Sequence, residues 1–368
     1  MAKKGFSNMN LEWSANWSEA KQNLVRWWNR EGMAISLTAW RKTPALNLAP
    51  PSEPENIEDW WTDPLFRCNR AEYEMSYRNY LAEAIPYFDT QIGPGSLGLF
   101  LGATPRYDEE TVWYEPCIHD PQTYGSIHFS PENNLAWKQH LALIEEGLRR
   151  ANGRYMVSVP DLIENLDTLA ALRGDTPLLY DLTERPGWVI DRLVEINQAY
   201  FQVFNLIYEK VKDDEGGNVF SAFSIWGPGK TAKLQCDISA ALSPRMFKMF
   251  VKPILAEQCR WLDYSLYHLD GTTCLQHLDL LLSIEDLNAI EWTPQAGRPG
   301  GGSAEWYDLY RYIKAGGKGV QVIGVLVDEV IPLLDAIGPQ GVFILLGETP
   351  DQETAEKLLQ DLEPYRKG

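Results

Sequence analysis

The sequence predicts an α/β chain folded as a single (β/α)8 barrel of the TIM type, with an N-terminal helical extension over about residues 1–32. Three observations predict it. Apolar strand-like runs alternate with amphipathic helical runs, which implies parallel strands joined by right-handed crossovers. About eight such units fit within the 368 residues, which favours a closed sheet over an open one. No dinucleotide fingerprint or Walker loop follows the early strands, so the nucleotide-binding open sheets lose support. No short repeat or low-complexity linker divides the chain, so residues 1–368 read as one domain.

The elements follow in order. "WSEAKQNLVRWWNREG" reads as a first helix, with Ser18 as cap and Gly32 as stop. "MAISLTAW" is a buried strand, and proline and acidic residues over 43–65 mark a loop. "RCNRAEYEMSYRNYLAEAI" reads as a helix ended by Pro86, and "YFDTQIG" as a short strand. The glycine-rich and then alternating stretch after it suggests a loop with a small hairpin.

"NNLAWKQHLALIEEGLRRANG" is a helix closed by Gly153, "RYMVSVPD" a strand, and "IENLDTLAALRG" a short helix. Ile190, Leu193, Ile196, Tyr200, Val203, Phe204, Ile207 and Val211 share the 3.6-residue period of a long amphipathic helix. "NVFSAFSIW" reads as a strand. The helix "SPRMFKMFVKPILAEQCRWL" should kink at Pro253. "DYSLYHLD", "LNAIEW", "KGVQVIGV" and "GVFILLG" are strands, each followed by a helical run.

Composition narrows the function. A net charge of −18 opposes phosphate backbones and anionic membranes, so neither nucleic acid nor a membrane surface is an expected partner. No run of about 18 apolar residues occurs, and the start "MAKKGFSNMNLEWS" lacks the apolar stretch of a signal peptide. Five widely spaced cysteines without a C-x-x-C fit a reducing, cytoplasmic setting rather than a disulfide framework. Fourteen tryptophans are mostly core material, and some of them suit an aromatic-lined pocket.

In such a barrel, chemistry collects at the C-terminal ends of the strands. The residues there include Asp161, Trp226, Gln235, Cys236, Asp237, His268, Asp270 and Glu348. The stretch "YHLDGTTCLQHLD" carries the triplet H-L-D twice. Residues two apart on a strand share a face, so His268 and Asp270 can both point into the mouth, as a metal or acid/base pair would. The second triplet opens a helix, where such residues diverge, so at most His277 reaches the pocket and Asp279 belongs to an ordinary helix face. The glycines of "QAGRPGGGSAEW" read as a tight turn rather than an anion cradle.

From about residue 85 onward, the runs "PYFDTQIGPGSLGLFLGA", "LQCDISAALSPRMF", "YHLDG", "HLDLLLSIEDLNAIEWTPQAG" and "FILLGETPDQETAEKL" resemble the uroporphyrinogen decarboxylase superfamily. The resemblance implies the barrel fold and offers two branches. The decarboxylase branch holds its substrate carboxylates with an arginine-rich N-terminal loop. Here "TAWRKTPA" keeps only Arg41 and Lys42, and the acidic chain suits a polycarboxylate poorly, so uroporphyrinogen decarboxylation is the remote alternative.

The corrinoid-dependent methyltransferase branch holds zinc with H-x-C and a late cysteine. At the matching positions stand His268, Asp270 and Glu348. The resemblance thus implies a divalent cation, zinc first and manganese or iron beside it, on a ligand set of one imidazole and two carboxylates. His277, Asp237 and Asp161 are then pocket polar groups or proton carriers. Tyr267, Trp226, Gln235, Trp113 and Arg41 are expected to line the substrate site.

The expected function is a metal-dependent methyltransferase-like enzyme acting on a small molecule, with a corrinoid protein as methyl donor. The main alternative is a corrinoid-independent lyase or hydrolase on a small polar substrate such as a carbohydrate. A non-enzymatic tetrapyrrole-binding barrel ranks last. Barrels of this kind often pair, so a homodimer is an open expectation.

Overall fold

The computed structural model describes residues 11–366. The start "MAKKGFSNMN", read as carrying no signal peptide, lies outside the described residues. The chain is α/β with a largely parallel central sheet, as the alternation of runs requires. Seven strands form that sheet in the spatial order Arg78–Ala82, Ala34–Trp40, Val342–Leu346, Gly319–Val325, Ala289–Thr293, Tyr264–Asp270, Thr231–Leu234. Every pairing is parallel except that of Arg78–Ala82 with Ala34–Trp40.

Three further strands continue the wall. Tyr87–Phe88 pairs in parallel with Met156–Val157, and Val159 bridges to Phe220 of Asn218–Phe220. The ladder is therefore barrel-like without being one continuous closed sheet among the described residues. Side chains hold the seams. The Asn218 amide donates to the Thr231 carbonyl at 3.0 Å, and its oxygen accepts from Thr231 N–H at 2.9 Å. Glu83 accepts from Ile35 N–H at 2.8 Å. These bonds satisfy strand ends that would otherwise be buried without partners.

Several local expectations are corrected. The helix expected over residues 67–85 covers Pro64–Ser76, and Arg78–Ala82 is instead an antiparallel strand against Ala34–Trp40. A neighbouring strand edge outweighs the helical pattern there. "NVFSAFSIW" is two short antiparallel strands, Asn218–Phe220 and Ile225–Gly227, broken at Phe223 and Ser224, both at positive φ. The sheet strand that follows, Thr231–Leu234, was not anticipated. Ser18 lies inside the first helix, Trp17–Trp28, and caps nothing.

That first helix closes the end of the barrel opposite the mouth. Trp28 packs on Tyr264 at 5.2 Å and Trp27 on Phe343 at 4.9 Å, both near the starts of sheet strands. Trp28 Nε1 also donates to the Trp226 carbonyl at 2.9 Å. Lys21, almost fully buried, pairs with Glu215 at 2.6 Å and ties the helix to the loop before Asn218. The N-terminal segment is thus part of the core, and most of the tryptophans serve packing.

The glycine-rich turn has a packing reason. A Cβ on Gly301 would stand 2.3 Å from the Ile323 carbonyl oxygen, so only glycine allows the backbones to approach. Among the described residues, no helix is long and apolar enough to cross a membrane.

Replacing Trp28 by Ala removes a buried indole and its hydrogen bond from the barrel floor. The expected loss is about 3–5 kcal/mol of unfolding free energy, the range for large aromatic truncations. Denaturant unfolding checks it, and a loss below about 1 kcal/mol would mean that the helix is not part of the cooperative core.

Candidate functional site

The site is built by strand alternation. In the Tyr264–Asp270 strand, His268 and Asp270 share the inner face, and register sets His268 opposite Glu291 and Asp270 opposite Thr293. On Thr231–Leu234 and just beyond its end, Lys233, Gln235 and Asp237 follow one another at a spacing of two. Asp237, His268 and Asp270 each bring a ligand atom within 4.8 Å of the others.

Two of the three, His268 and Asp237, are held from behind. His268 Nδ1 lies 2.5 Å from Glu291 Oε2, and Thr293 Oγ1 donates to Glu291 Oε1 at 2.8 Å. Glu291 is fully buried, and both of its oxygens are engaged. Burial alone would lower the His268 pKa, but the Glu291 carboxylate reverses this, and the net direction is up. With Nδ1 taken up by Glu291, Nε2 is the nitrogen left for a ligand.

Asp237 accepts from the Gln235 amide at 2.8 Å. The N–H groups of Asp237 and Ile238 donate to the Asp167 carboxylate at 2.7 and 3.0 Å, which fixes the backbone as it leaves the strand. Desolvation, then the nearby Asp167 charge, push the Asp237 carboxyl up to about 6. Behind these, buried Lys233 pairs with Asp161 at 2.7 Å and also donates to Gln235 Oε1. Glu164 accepts from Gln235 N–H at 2.7 Å, and burial pushes its carboxyl up to about 8.

The expected residues thus sort into several places. His268 and Asp270 come together as expected, and Asp237 joins them as a candidate ligand rather than as a proton carrier. Glu348 stands elsewhere. It accepts from Val327 N–H at 2.9 Å and lines a neighbouring cavity of about 730 Å3. His277 does not reach the mouth. It stacks on Phe247 at 4.4 Å, and Nε2 donates to the Ser239 carbonyl at 2.9 Å, so it supports the turn that carries Asp237. Burial lowers its pKa, which keeps it neutral. Asp279 faces outward and accepts from the Tyr312 hydroxyl at 2.6 Å.

Asp161 is the partner of Lys233, and Gln235 is the connector between Lys233 and Asp237. The other expected lining residues are corrected. Tyr267 is buried on the outer face of its strand, because it alternates with His268. Trp226 is fully buried, edge-on to Trp17 at 5.5 Å, with Nε1 on Asp213. Trp113 is half exposed on the hairpin of Thr104–Tyr107 and Val112–Glu115. Arg41 donates to the Arg78 carbonyl at 2.9 Å.

Glu291, Lys233, Glu164 and Asp167 were missed. Two of them left a readable signal. Glu291 is a lone acid inside the apolar strand "LNAIEW", and "KLQCD" places Lys233, Gln235 and Asp237 at period two. Glu164 and Asp167 resemble any acids at a helix start and gave none.

The residues present fit a divalent cation. One imidazole and two carboxylates converge, the second imidazole nitrogen is braced by a buried acid, and the surrounding carboxylates outnumber the cationic groups. Neither of the buried cysteines Cys236 and Cys274 is among the converging ligand atoms.

No protein-family model and no curated protein sequence matches the chain. Among solved structures, a methyltransferase from Methanosarcina mazei is similar over 94% of this chain and 98% of that one, with a TM-score of 0.59 at 9% identity. At that identity the likeness is one of fold.

The raised Glu164 carboxyl gives a pH prediction. A folded pKa of about 8 above the ordinary value of about 4.3 means that the fold binds the proton better than the unfolded chain does. The contribution is fully present below about pH 4.3 and is lost as pH rises through about 8. Glu164→Gln keeps the oxygen that accepts from Gln235 and removes the titration. Its melting temperature should match the parent near pH 4.5 and exceed it at pH 8.5. Equal pH slopes for the two proteins would show that Glu164 is already ionised in the fold.

Proposed function

We propose that this protein is a metal-dependent methyltransferase-type enzyme in which Asp237, His268 and Asp270 hold a divalent cation. The observation that carries the reading is the convergence of those three ligand atoms at the strand ends. The donor set is oxygen-rich and lacks a thiolate, so manganese and iron stand beside zinc as candidates. When bound, such a cation acts as a Lewis acid on an acceptor oxygen, nitrogen or sulfur and lowers its pKa.

The chain's own residues do the rest. Glu291 keeps the His268 ring in one orientation. Gln235 and Asp167 fix Asp237 from its side chain and its backbone. Lys233 and Asp161 neutralise each other beneath the site, so the excess negative charge stays with the ligand carboxylates. The methyl donor in this reading is a methylated corrinoid protein docked over the mouth. The sequence resemblance is what supports that donor, and the likeness to a methyltransferase is one of fold.

A second reading keeps the cation and drops the corrinoid: a lyase or hydrolase acting on a small polar substrate. The all-oxygen-and-nitrogen ligand set favours it, because harder ligands suit activation of water.

Elemental analysis of protein purified without chelators should find about one equivalent of a transition metal, as a single three-ligand site requires. Asp270→Ala and His268→Ala should each lose most of it, and Glu291→Gln should weaken retention by about 10–100-fold, the usual cost of an outer-shell partner. Unchanged metal content in Asp270→Ala would sink the assignment. Demethylation of methylcobalamin, followed by absorbance with thiol or phenol acceptors, supports methyl transfer. Turnover of nitrophenyl esters or glycosides with no effect on methylcobalamin selects the second reading.

A further inference from the structure

The 730 Å3 cavity lies beside the Asp237–His268–Asp270 cluster rather than around it, since its lining contains none of the three. Its volume suits a small organic molecule. One wall is the face shared by the antiparallel strands Ala34–Trp40 and Arg78–Ala82. Arg78 and Tyr80 stand two apart on it, with Thr38 opposite Tyr80 in register and Ser36 two residues before Thr38.

The valences left over on this wall are those of donors. Arg78 makes no ion pair or side-chain hydrogen bond with a described residue, and its guanidinium only lies over the Trp40 ring at 5.3 Å. The Tyr80 hydroxyl is likewise without a hydrogen-bond partner, and burial holds its pKa up, so it remains a donor.

Of the other charges in the lining, all but Glu109 and Glu110 have a partner. Arg67 donates to the carbonyls of Trp61, Asp89 and Gln91, and Arg70 pairs with Glu74. Asp89 accepts from Gln91 N–H, and Glu348 from Val327 N–H. Glu109 and Glu110 line the rim from the exposed hairpin turn. The lining also has apolar members, Met75, Ile85, Phe88, Trp60 and Trp61, and Leu345, which stands next to Ser36 in register.

We propose that this cavity binds a small organic carboxylate, with the carboxylate on Arg78 and Tyr80 and an apolar body against Phe88 and the tryptophans. A guanidinium beside a phenol and a threonine hydroxyl offers the charge-assisted bonds that a carboxylate accepts, and the apolar lining residues cover the remainder. The proposal goes beyond the metal reading and does not depend on it, because no ligand of the cluster lines the cavity.

The test is calorimetric titration of the full chain with benzoate and hexanoate, beside benzamide and benzylamine as neutral and cationic probes of similar shape. At least one carboxylate should bind saturably, and benzamide should bind about tenfold more weakly than benzoate or worse, as expected for loss of a charge-assisted pair. Arg78→Met should weaken the carboxylate by about tenfold or more, and Tyr80→Phe by severalfold. The same titration in the presence of a metal chelator should give an unchanged affinity, which separates this site from the metal reading. Thermal melts establish that the variants are folded, and Tyr80→Phe carries the test if Arg78→Met is not. Saturable binding of neither acid, tighter binding of benzylamine, or parental affinity in folded Arg78→Met would each overturn the proposal.

Discussion

The contact between His268 and Glu291 sets what the rest of the mouth can do. It follows from a parallel register that places the two residues side by side on adjacent strands. A buried carboxylate is costly unless hydrogen-bonded, and here both oxygens are satisfied, one by the imidazole and one by Thr293. With Nδ1 committed, Nε2 is the nitrogen left for a ligand. A one-residue slip of register would turn His268 out of the barrel and leave Glu291 unpaired, so the fold and the site depend on the same pairing.

Charge balance gives that geometry its direction. Around the mouth stand Asp161, Glu164, Asp167, Asp237, Asp270 and Glu291, against Lys233 and at most one charge on His268. Lys233 is spent on Asp161. The protein manages the excess in two ways visible in its chemistry. Backbone N–H groups cap Asp167 and Glu164, and burial keeps Glu164 and Asp237 protonated further toward neutrality than free carboxyls. A divalent cation between Asp237, His268 and Asp270 would do the same work electrostatically.

How much of this could be read in the sequence depends on how local the cause was. Strand-and-helix alternation gave the fold class, and the i, i+2 rule brought His268 and Asp270 to one face, because both are properties of a single segment. The separation of the two H-L-D triplets was also local, although His277 proved to brace the Asp237 turn from beneath. Trp226 and Tyr267 were misplaced because burial at a strand depends on which face the neighbours cover. Glu348 was assigned by likeness to a turn, and its carboxylate is instead taken up by Val327 N–H. Glu291 required the register between two strands, which no single segment contains. Arg78–Ala82 read as helix because its partner strand lies about 40 residues away in the chain.

The segment between the Asp237–His268–Asp270 cluster and the large cavity shows what keeps the two apart. Ser224 lines the cavity, while Phe223 turns its ring onto His268 at 4.8 Å, so one dipeptide faces both spaces. Both residues hold positive φ, 62° and 51°, at a cost of about 1–3 kcal/mol each for side chains without a special reason to be there. Tyr87 opposes that cost with bonds to the Ser221 carbonyl and the Ser224 hydroxyl, and Gln321 with a bond to the Phe223 carbonyl. Three such bonds are worth about 0.5–1.5 kcal/mol each in net terms. The two sums are of the same size, so neither term alone holds the dipeptide in place. Phe223 also packs on His268, so the wall between the two spaces touches the same imidazole that Glu291 orients.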